Sequence, residues 1–225
     1  RQMCIRDSAL REENIDKEVV TMVTQVIVNK DDPSFQDPTK FVGKRYSFKE
    51  AEELARNMGW DIKEQEPGQW RRVVPSPDPE FVMHGHSIRT LVESGTIVIA
   101  AGGGGIPVYN TEDNKLKGID SVVDKDLSAA KLGRVIRAQE YYIITDIDQV
   151  YKNFNTPEQS PIRQMTDKEA KKLQDDGHFQ QGSMWPKIRS AIHFLKHHGE
   201  KAVITNIANI QKAIEGKAGT TIIKE

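Results

Sequence analysis

The chain has 225 residues, a net charge of −1, one cysteine, 29% charged residues and 37% hydrophobic residues. This composition excludes a collagen-like, disordered or disulfide-stapled chain, and no run approaches the roughly 18 apolar residues of a membrane-spanning helix. The near-zero charge gives no bulk attraction to nucleic acid, so any anion site must be local. We therefore expect no nucleic-acid or membrane partner and, with Cys4 as the single thiol, a cytoplasmic protein.

The N-terminal third predicts one strand followed by an inserted block. Residues 1–8 (RQMCIRDS) show no periodicity and lack an initiating Met, so we expect them to be non-native. Residues 19–28 (VVTMVTQVIV) are rich in β-branched side chains and predict one buried strand. Frequent prolines, scattered aromatics and dense charges over 37–81 indicate a small protruding subdomain or lid. Inside it, Ser47 and Glu50 match a capping box and predict a helix.

The remaining chain alternates predicted helices and strands. We predict a helix capped by Ser87, a buried strand at 96–101, a helix at 126–138, a strand at 141–145, a helix with a Thr166–Glu169 capping box, a helix with Pro186 at its first position, strand 202–205, helix 207–215 and strand 220–223. Alternating elements with uniformly apolar strands indicate an α/β fold with a mainly parallel sheet covered on both faces. We interpret residues 1–225 as one domain carrying the inserted subdomain.

Four consecutive glycines, Gly102, Gly103, Gly104 and Gly105, directly follow a predicted buried strand. In parallel α/β sheets ligands bind outside the carboxyl ends of strands, and glycines there let backbone N–H groups approach an anion. The loop is not a dinucleotide-binding fingerprint, because Pro107 stands where the third glycine would be, and no Gly-Lys-Ser/Thr follows to make a Walker A loop. An anion-binding loop is the favoured interpretation, and a flexible turn is the alternative.

Two lysines stand at predicted helix starts. Lys125 lies between Asp124 and Asp126, where a lysine can contact a phosphate and a flanking acid can orient it. Lys187 falls in the first turn of its helix, where the dipole disfavours a cation unless a ligand charge is near. Simple helix capping is the alternative for the first motif, and an exposed lysine on a solvated face is the alternative for Lys187.

Two other charged pairs have regular spacing. Arg71 and Arg72 are adjacent on a predicted strand, so their side chains point to opposite faces and at most one can face a ligand. His193 and His197 have the spacing of metal ligands on a helix, but no HExxH glutamate or third ligand accompanies them. We therefore interpret the histidines as part of a solvated helix face and predict no metal ligands.

Seven motifs in a fixed order connect these features. They are IDKEVVTMVTQVIV, DPTKFVG (37–43), WRRVVPSP (70–77), AGGGGIPV (101–108), GIDSVVDKDLSA (118–129), ITDIDQVYKNF (144–154) and GHFQQGSMWPK (177–187). With them the chain resembles carbamate kinases of the amino-acid kinase superfamily from about Ile15 to Glu225. The resemblance implies a three-layer α/β sandwich with a protruding subdomain, a homodimer, Mg²⁺ and the reversible reaction ATP plus carbamate to ADP plus carbamoyl phosphate. It also implies flux toward ATP in arginine-type catabolism.

The resemblance assigns roles to individual residues. It implies that Lys125 and Lys187 neutralise the phosphates, that Asp126 orients them, and that Lys40 reaches over the site from the subdomain. It places the transferred phosphoryl or carbamate group beside the four glycines. We also count Arg71 and Arg72 as candidate phosphate-binding residues. The resemblance places the nucleotide around Thr145, Asp146, Val150, Tyr151, Gly182 and Met184.

One departure from the family concerns the N-terminal part of the fold. Members begin with a strand leading into a glycine-asparagine phosphate loop, followed by a second glycine-rich loop, and neither stands before Val19. We therefore expect the N-terminal strands to be missing and the chain as given to be inactive. Another amino-acid kinase, or an inactive nucleotide-binding fragment, is the alternative to a carbamate kinase.

Overall fold

The computed structural model describes residues 8–179 and 183–225, so the predicted nucleotide-binding residue Gly182 lies outside the described residues, as do residues 1–7. The strands are β1 (Val19–Thr21), β2 (Gln25–Val28), β3 (Lys40–Tyr46), β4 (Asp61–Glu66), β5 (Gln69–Val74), β6 (Pro79–Val82), β7 (Ile97–Ile99), β8 (Ile106–Asn110), β9 (Leu116–Gly118), β10 (Glu140–Thr145), β11 (Val150–Lys152), β12 (Ser160–Ile162), β13 (Gln164–Thr166), β14 (Lys201–Asn206) and β15 (Thr220–Ile223). The helices that are bounded entirely by described residues are α1 (Phe48–Met58), α2 (Gly85–Glu93), α3 (Lys125–Ile136), α4 (Asp167–Asp175), α5 (Met184–Leu195) and α6 (Ile210–Ile214), with 3-10 turns at Pro33–Phe35 and Ile207–Asn209. Over the described ranges, no helix combines the length and apolar character needed to cross a membrane.

The sheets confirm the predicted α/β fold and are mixed in direction. The order β10-β14-β15-β13 forms one sheet and β6-β2-β8-β9 another, while β1 pairs with β7. Parallel pairs are β1 with β7, β2 with β8, β10 with β14 and β13 with β15. Antiparallel neighbours occur where β6, β9 and β15 join these sheets. Within each parallel pair the carboxyl ends of the two strands lie at the same edge, where a ligand site is expected in an α/β fold.

The main core lies between helices and the β10-β14-β15-β13 sheet. Its fully buried side chains include Ile188 and Leu195 of α5, Ile204 of β14 and Ile222 of β15. Helix α3 packs on α5 across this core. This packing matters for the site because α3 begins at Lys125 and α5 carries Lys187 in its first turn.

The protruding subdomain consists of the antiparallel sheet β3-β5-β4 and helix α1. The predicted capping box is confirmed, with the Ser47 hydroxyl accepting from the Glu50 N–H and the Glu50 carboxylate accepting from the Ser47 N–H at 3.0 Å. The predicted boundary at residue 81 runs too far, because β6 pairs with β2 of the core. Composition alone did not mark this return, since prolines continue through Pro75, Pro77 and Pro79.

Two local expectations differ from the structure near the glycine loop and at the start of α2. The predicted strand 19–28 is divided into β1 and β2, because the Thr24 hydroxyl donates to the Met22 carbonyl and accepts the Ala101 N–H instead of leaving the strand regular. Ser87 is not a cap, since α2 begins at Gly85 after a left-handed His84. The start of α2 is therefore determined by the turn that follows β6 and not by a capping side chain at Ser87.

A third difference concerns α5, which begins at Met184, so Pro186 is its third residue and not its first. A proline is tolerated there because the N–H groups of the first helical turn have no intrahelical partner to lose. The difference moves Met184 and Lys187 onto the same first turn of the helix.

Candidate active site

The site is organised around the N-terminus of α3. Asp124 precedes the helix with an extended backbone, and its Oδ1 accepts the N–H groups of Asp126 at 3.0 Å and Leu127 at 3.2 Å. This cap satisfies two of the donors that a helix start leaves free.

Asp126 brings the two predicted phosphate lysines together. Its Oδ2 lies 3.2 Å from Lys187 Nζ and its Oδ1 lies 3.3 Å from Lys125 Nζ. The side chains of Asp126 and Lys187 are 10% and 14% exposed, whereas that of Lys125 is 56% exposed. The buried Asp126 carboxylate thus holds two ammonium groups, that of Lys187 in the interior and that of Lys125 near the surface. Asp126 and Lys187 are 61 residues apart in sequence.

Lys40 reaches the same helix end from the subdomain. Its Nζ donates to Asp124 Oδ2 at 3.1 Å across 84 residues of sequence. Burial would raise the pKa of the Asp124 carboxyl, but the charge and hydrogen bond of Lys40 and the two capping N–H groups outweigh it, so the pKa is lowered. Asp124 is therefore a charged group at neutral pH, and its Oδ2 is available to a cation.

The glycine loop packs against this helix end through its second half. A Cβ on Gly104 would lie 2.2 Å from the Val123 carbonyl oxygen, and one on Gly105 would lie 2.4 Å from the Val26 side chain. The Ser128 hydroxyl donates to the Gly104 carbonyl at 2.7 Å, which ties the loop to α3. Close approach of two backbones therefore requires glycine here.

The first half of the loop is open. Gly102 and Gly103 are exposed, and a Cβ on either would meet nothing within 4 Å. Gly102 lines a shallow depression together with Lys125. The predicted anion-facing part of the loop is thus this exposed half, next to the outer lysine.

A cleft of about 610 Å³ separates the subdomain from α3 and α5. Lys40, Arg71, Asp124 and Arg189 are among its lining residues. Arg71 donates to the Gly43 carbonyl at 2.7 Å and to Gln65 at 3.0 Å, which holds it at the subdomain wall.

Arg72 is not brought to this cleft. Its guanidinium lies over the Trp60 ring at 5.0 Å, a packing contact within the subdomain. The structure thus separates Arg71 from Arg72, as alternation along a strand requires.

A second, smaller pocket of about 210 Å³ lies at the carboxyl end of β10. Four of the predicted nucleotide-binding residues line it: Thr145, Asp146, Tyr151 and Met184. Val150 does not, because its side chain is fully buried and its N–H donates to the Thr220 hydroxyl at 2.8 Å. Strand β11 turns the Val150 side chain into the core, so Val150 does not line this pocket and its role in nucleotide binding stays a prediction.

Further lining residues of this pocket were not singled out from the sequence. They are Ile147, Phe154, His178, Phe179 and Ser183. All of them lie within the motifs at 144–154 and 177–187, so membership in these two motifs is the sequence signal that could have identified them. Phe154 packs against the Tyr151 ring with centroids 6.1 Å apart, so the pocket offers aromatic surface with polar groups at its mouth.

Asp146 is the acidic group of this pocket. The Thr145 hydroxyl donates to its Oδ1 at 2.9 Å and is the main reason that the pKa of the Asp146 carboxyl is lowered, with the Lys187 charge adding to it. Among the described residues, no group of three or more His, Cys, Asp or Glu side chains is arranged to hold a metal ion. Mg²⁺ is commonly held by one or two carboxylates together with substrate phosphates, and a single carboxylate such as Asp146 fits that mode.

Comparison with known proteins places this arrangement in a family. The sequence model of the Amino acid kinase family matches residues 3–206. The chain is 45% identical over 221 residues to a carbamate kinase of Pyrococcus horikoshii, with 98% of this chain and 70% of that protein covered. It is 43% identical over 210 residues to a carbamate kinase of Thermoplasma volcanium, with 93% and 68% covered.

A solved structure gives the same result at the level of the fold. A carbamate kinase from Giardia lamblia bound to AMP-PNP matches with a TM-score of 0.85 and 36% identity, covering 97% of this chain and 69% of that one. The match includes both the core sheets and the segment that carries the subdomain, since nearly all of this chain is covered. The chain therefore belongs to the amino acid kinase family.

Proposed function

We propose that this protein is a carbamate kinase, which transfers a phosphoryl group reversibly between ATP and carbamate to give ADP and carbamoyl phosphate. The observation that carries the proposal is the buried carboxylate of Asp126 holding Lys125 and Lys187 at 3.3 and 3.2 Å. The similarity to carbamate kinases over nearly the whole chain supports this choice of substrates.

The lysine arrangement suits phosphoryl transfer because that reaction needs positioning and positive charge more than covalent assistance. Lys187 is largely shielded from water, so its attraction for a phosphoryl oxygen is screened less than that of a surface lysine. Asp126 accepts from only part of each ammonium group, and a lysine has three N–H donors. Each lysine therefore keeps donors for the oxygens of the transferring group.

Helix α5 connects the nucleotide pocket to these charges. Met184 lines the pocket and Lys187, one turn later, reaches Asp126. A nucleotide whose base lies against Tyr151 and Met184 would extend its phosphates toward Lys187. On the opposite side, the exposed glycines would offer backbone N–H groups to the phosphoryl or carbamate oxygens.

Mg²⁺ is the cofactor that we propose for the nucleotide. When bound, it would neutralise charge on the phosphate oxygens. Asp146 is the residue that would contribute a carboxylate to it, while Lys125, Lys187 and Lys40 would bind the remaining oxygens. The lysines, and not a cluster of acids, thus supply most of the protein's own charge at the transfer site.

We also propose a homodimer that acts in the cytoplasm, in arginine-type catabolism and in the ATP-forming direction. The support is the resemblance of the seven motifs to the carbamate kinases. Sedimentation velocity tests the dimer, with a mass of about twice that of one chain expected. Growth of a deletion strain on arginine as the energy source tests the pathway, and slower growth is expected.

The activity is tested by forming ATP from ADP and carbamoyl phosphate in a coupled assay. The chain spans 68–70% of the length of its curated relatives, so the assay uses the protein expressed from its complete gene. We expect turnover in the ordinary range of about 1–10³ per second with carbamoyl phosphate. Formation of ATP from another acyl phosphate, or consumption of ATP with an amino-acid carboxylate as the phosphoryl acceptor, and no activity with carbamoyl phosphate, would instead indicate another amino-acid kinase.

A further inference from the structure

We propose that Asp124 is a positioning residue for the transfer reaction, which holds Lys40 of the subdomain over the site as Asp126 holds Lys125 and Lys187. This inference rests on the proposed function, since it gives Lys40 a phosphoryl oxygen to meet. It assigns to Asp124 a second task besides capping α3.

The two oxygens of Asp124 are divided between these tasks. Oδ1 accepts the N–H groups of Asp126 and Leu127, and Oδ2 accepts from Lys40 Nζ at 3.1 Å. The carboxylate is therefore fixed by the helix before it meets the lysine. Its side chain is 14% exposed, so the attraction is screened less than in a surface ion pair.

Asp124 is the acidic residue of the subdomain cleft that is available to pair with Lys40. The charged side chains lining that cleft are Lys40, Arg71, Asp78, Asp124 and Arg189. Asp78 is engaged by both terminal nitrogens of Arg189, and Arg71 carries the same charge as Lys40. Lys40 is thus directed to Asp124 by attraction from one side and repulsion from another.

The base of the subdomain is attached close to the same point. The Ser76 hydroxyl donates to the Val122 carbonyl at 2.8 Å, and the Val122 N–H donates to the Pro75 carbonyl at 3.0 Å. Lys40 lies opposite Val74 in the sheet, next to this attachment. The backbone contacts therefore set where the subdomain meets the core, and the ion pair sets where the ammonium group of Lys40 points.

The geometry leaves Lys40 able to act while it is held. Its side chain is 39% exposed, and one N–H bond to Asp124 is recorded for an ammonium group that has three donors. The other two can meet a phosphoryl oxygen without release of Asp124. A lysine pre-positioned in this way loses little orientational freedom when the substrate arrives.

The test is a double-mutant cycle with Asp124→Asn and Lys40→Ala. Asparagine caps helices as well as aspartate does but is a poor acceptor for an ammonium group once its oxygen is used by the cap. We expect Lys40→Ala to lower kcat on the order of 10²-fold and Asp124→Asn to lower it about 10-fold, with KM for ADP unchanged. In the Lys40→Ala background, Asp124→Asn should have no further effect on kcat.

Two controls separate positioning from structure. Lys44→Ala removes a lysine of the same strand, whose ammonium lies over the Tyr46 ring at 5.1 Å, and should leave kcat unchanged. Asp124→Ser, which also retains a capping oxygen, should reproduce the Asp124→Asn result and replaces it if that variant folds poorly. Equal losses from Asp124→Asn in both backgrounds would show that Asp124 acts only through the helix and would overturn the proposal.

A readout that needs no turnover distinguishes this inference from the proposed function. Amide hydrogen exchange of β3 in the ligand-free protein should be faster in Asp124→Asn than in the parent, and equally fast in Lys40→Ala. A parent without carbamate kinase activity would overturn the proposed function, while this exchange difference would still support docking of Lys40 on Asp124. Unchanged exchange in β3 in both variants would overturn the docking itself.

Discussion

Arg189 and Asp78 form a two-bond pair that joins the helix carrying Lys187 to the chain returning from the subdomain. Arg189 Nη1 donates to Asp78 Oδ1 at 2.9 Å, and Nη2 donates to Oδ2. The Asp78 N–H donates in turn to Asp32 Oδ2 at 3.2 Å, and Asp32 lies on the chain entering the subdomain. Asp78 thus connects Arg189 of α5 with both the entering and the returning chain of the subdomain.

The convergence predicts an effect of Arg189→Lys on subdomain mobility. Lysine keeps the charge but cannot form the two-bond fork. Because both partners are well exposed, we expect the free energy of unfolding to fall by only about 0.5–1 kcal/mol. Amide exchange in β3 and β5 should become faster, and turnover should fall a few-fold.

Arg45→Lys is the matched control for this prediction. Arg45 of β3 pairs with Glu66 of β4 at 2.9 Å with similar exposure, but this pair lies entirely within the subdomain. It should leave both turnover and amide exchange in β5 near the parent values. An identical response of the two variants would show that the Arg189 pair is an ordinary surface ion pair.

Lys125→Ala and Lys187→Ala should lower turnover far more than nucleotide affinity. Each substitution removes a positive charge that pairs with the oxygens of the transferring phosphoryl group. Loss of one such electrostatic partner typically lowers the rate on the order of 10²–10³-fold, as does loss of one oxyanion-hole donor. Lys187→Ala should cause the larger loss of turnover, because it leaves Asp126 with the exposed Lys125 as its remaining lysine partner. Steady-state kinetics with a separate nucleotide titration checks this.

The lysine variants need a control that changes charge alone. Lys168→Ala removes a lysine that is 74% exposed at the start of α4, away from the site. We expect it to leave kcat and nucleotide affinity unchanged. Turnover of either site variant within a few-fold of this control would show the lysine assignment to be wrong.

The glycine loop predicts opposite outcomes for neighbouring alanine substitutions. Gly104→Ala should reduce folding, because its Cβ would lie 2.2 Å from the Val123 carbonyl and the residue has φ +121. Gly103→Ala should fold normally, since nothing lies within 4 Å, yet lower turnover if an anion approaches the backbone there. Thermal unfolding and the coupled assay separate the two effects, and full activity of Gly103→Ala would remove this half of the loop from the site.

His193 predicts a stability change at mildly acidic pH. Burial, and then the charges of Lys131, His197, Lys196 and Arg134, lower the pKa of its imidazole to about 4 from the ordinary 6.5, and its buried Nε2 has no hydrogen-bond partner within the described part of the chain. The histidine prediction of a solvated face is therefore wrong for this ring, which the packing of α3 against α5 half-buries.

The direction of the effect follows from the two pKa values. Between about pH 6.5 and 4 the unfolded chain binds the proton and the folded chain does not, so the contribution is full above 6.5 and is lost as the pH falls toward 4. Lys171 and Asp175 of α4 line a separate pocket of about 480 Å³ together with His193, and they pair with each other, so their charges largely cancel. For this half-exposed ring we expect a loss on the order of 1 kcal/mol after solvent screening.

Urea unfolding of the parent and His193→Gln at a series of pH values measures this. As the pH is lowered from about 6.5 to 4, the free energy of unfolding should decrease in the parent and should decrease less in His193→Gln. His197→Gln is the comparison, since its ring is more exposed and the lowering of its pKa is smaller in consequence. Parallel pH curves for the parent and His193→Gln would contradict the prediction.

Features that depend on short-range hydrogen bonds were readable in the sequence. The capping boxes of Ser47 with Glu50 and of Thr166 with Glu169 both form as predicted, because donor and acceptor are three residues apart. The strand over β10 and the helix over α3 were likewise placed within two residues, since apolar periodicity reports burial directly. The α/β class followed from their alternation, and the family motifs named most of the residues at the site.

The tertiary structure decided which of these residues meet. Asp126 and Lys187 are 61 residues apart, and they touch only because α3 packs on α5 over a common core. Lys40 and Asp124 are 84 residues apart and meet only because the base of the subdomain is bonded to Val122. The order of the motifs along the chain does not reveal these contacts, because the position of one element against another depends on how the side chains of both elements pack together. The same reason explains why Val150, correctly placed in a motif, turns into the core instead of the pocket.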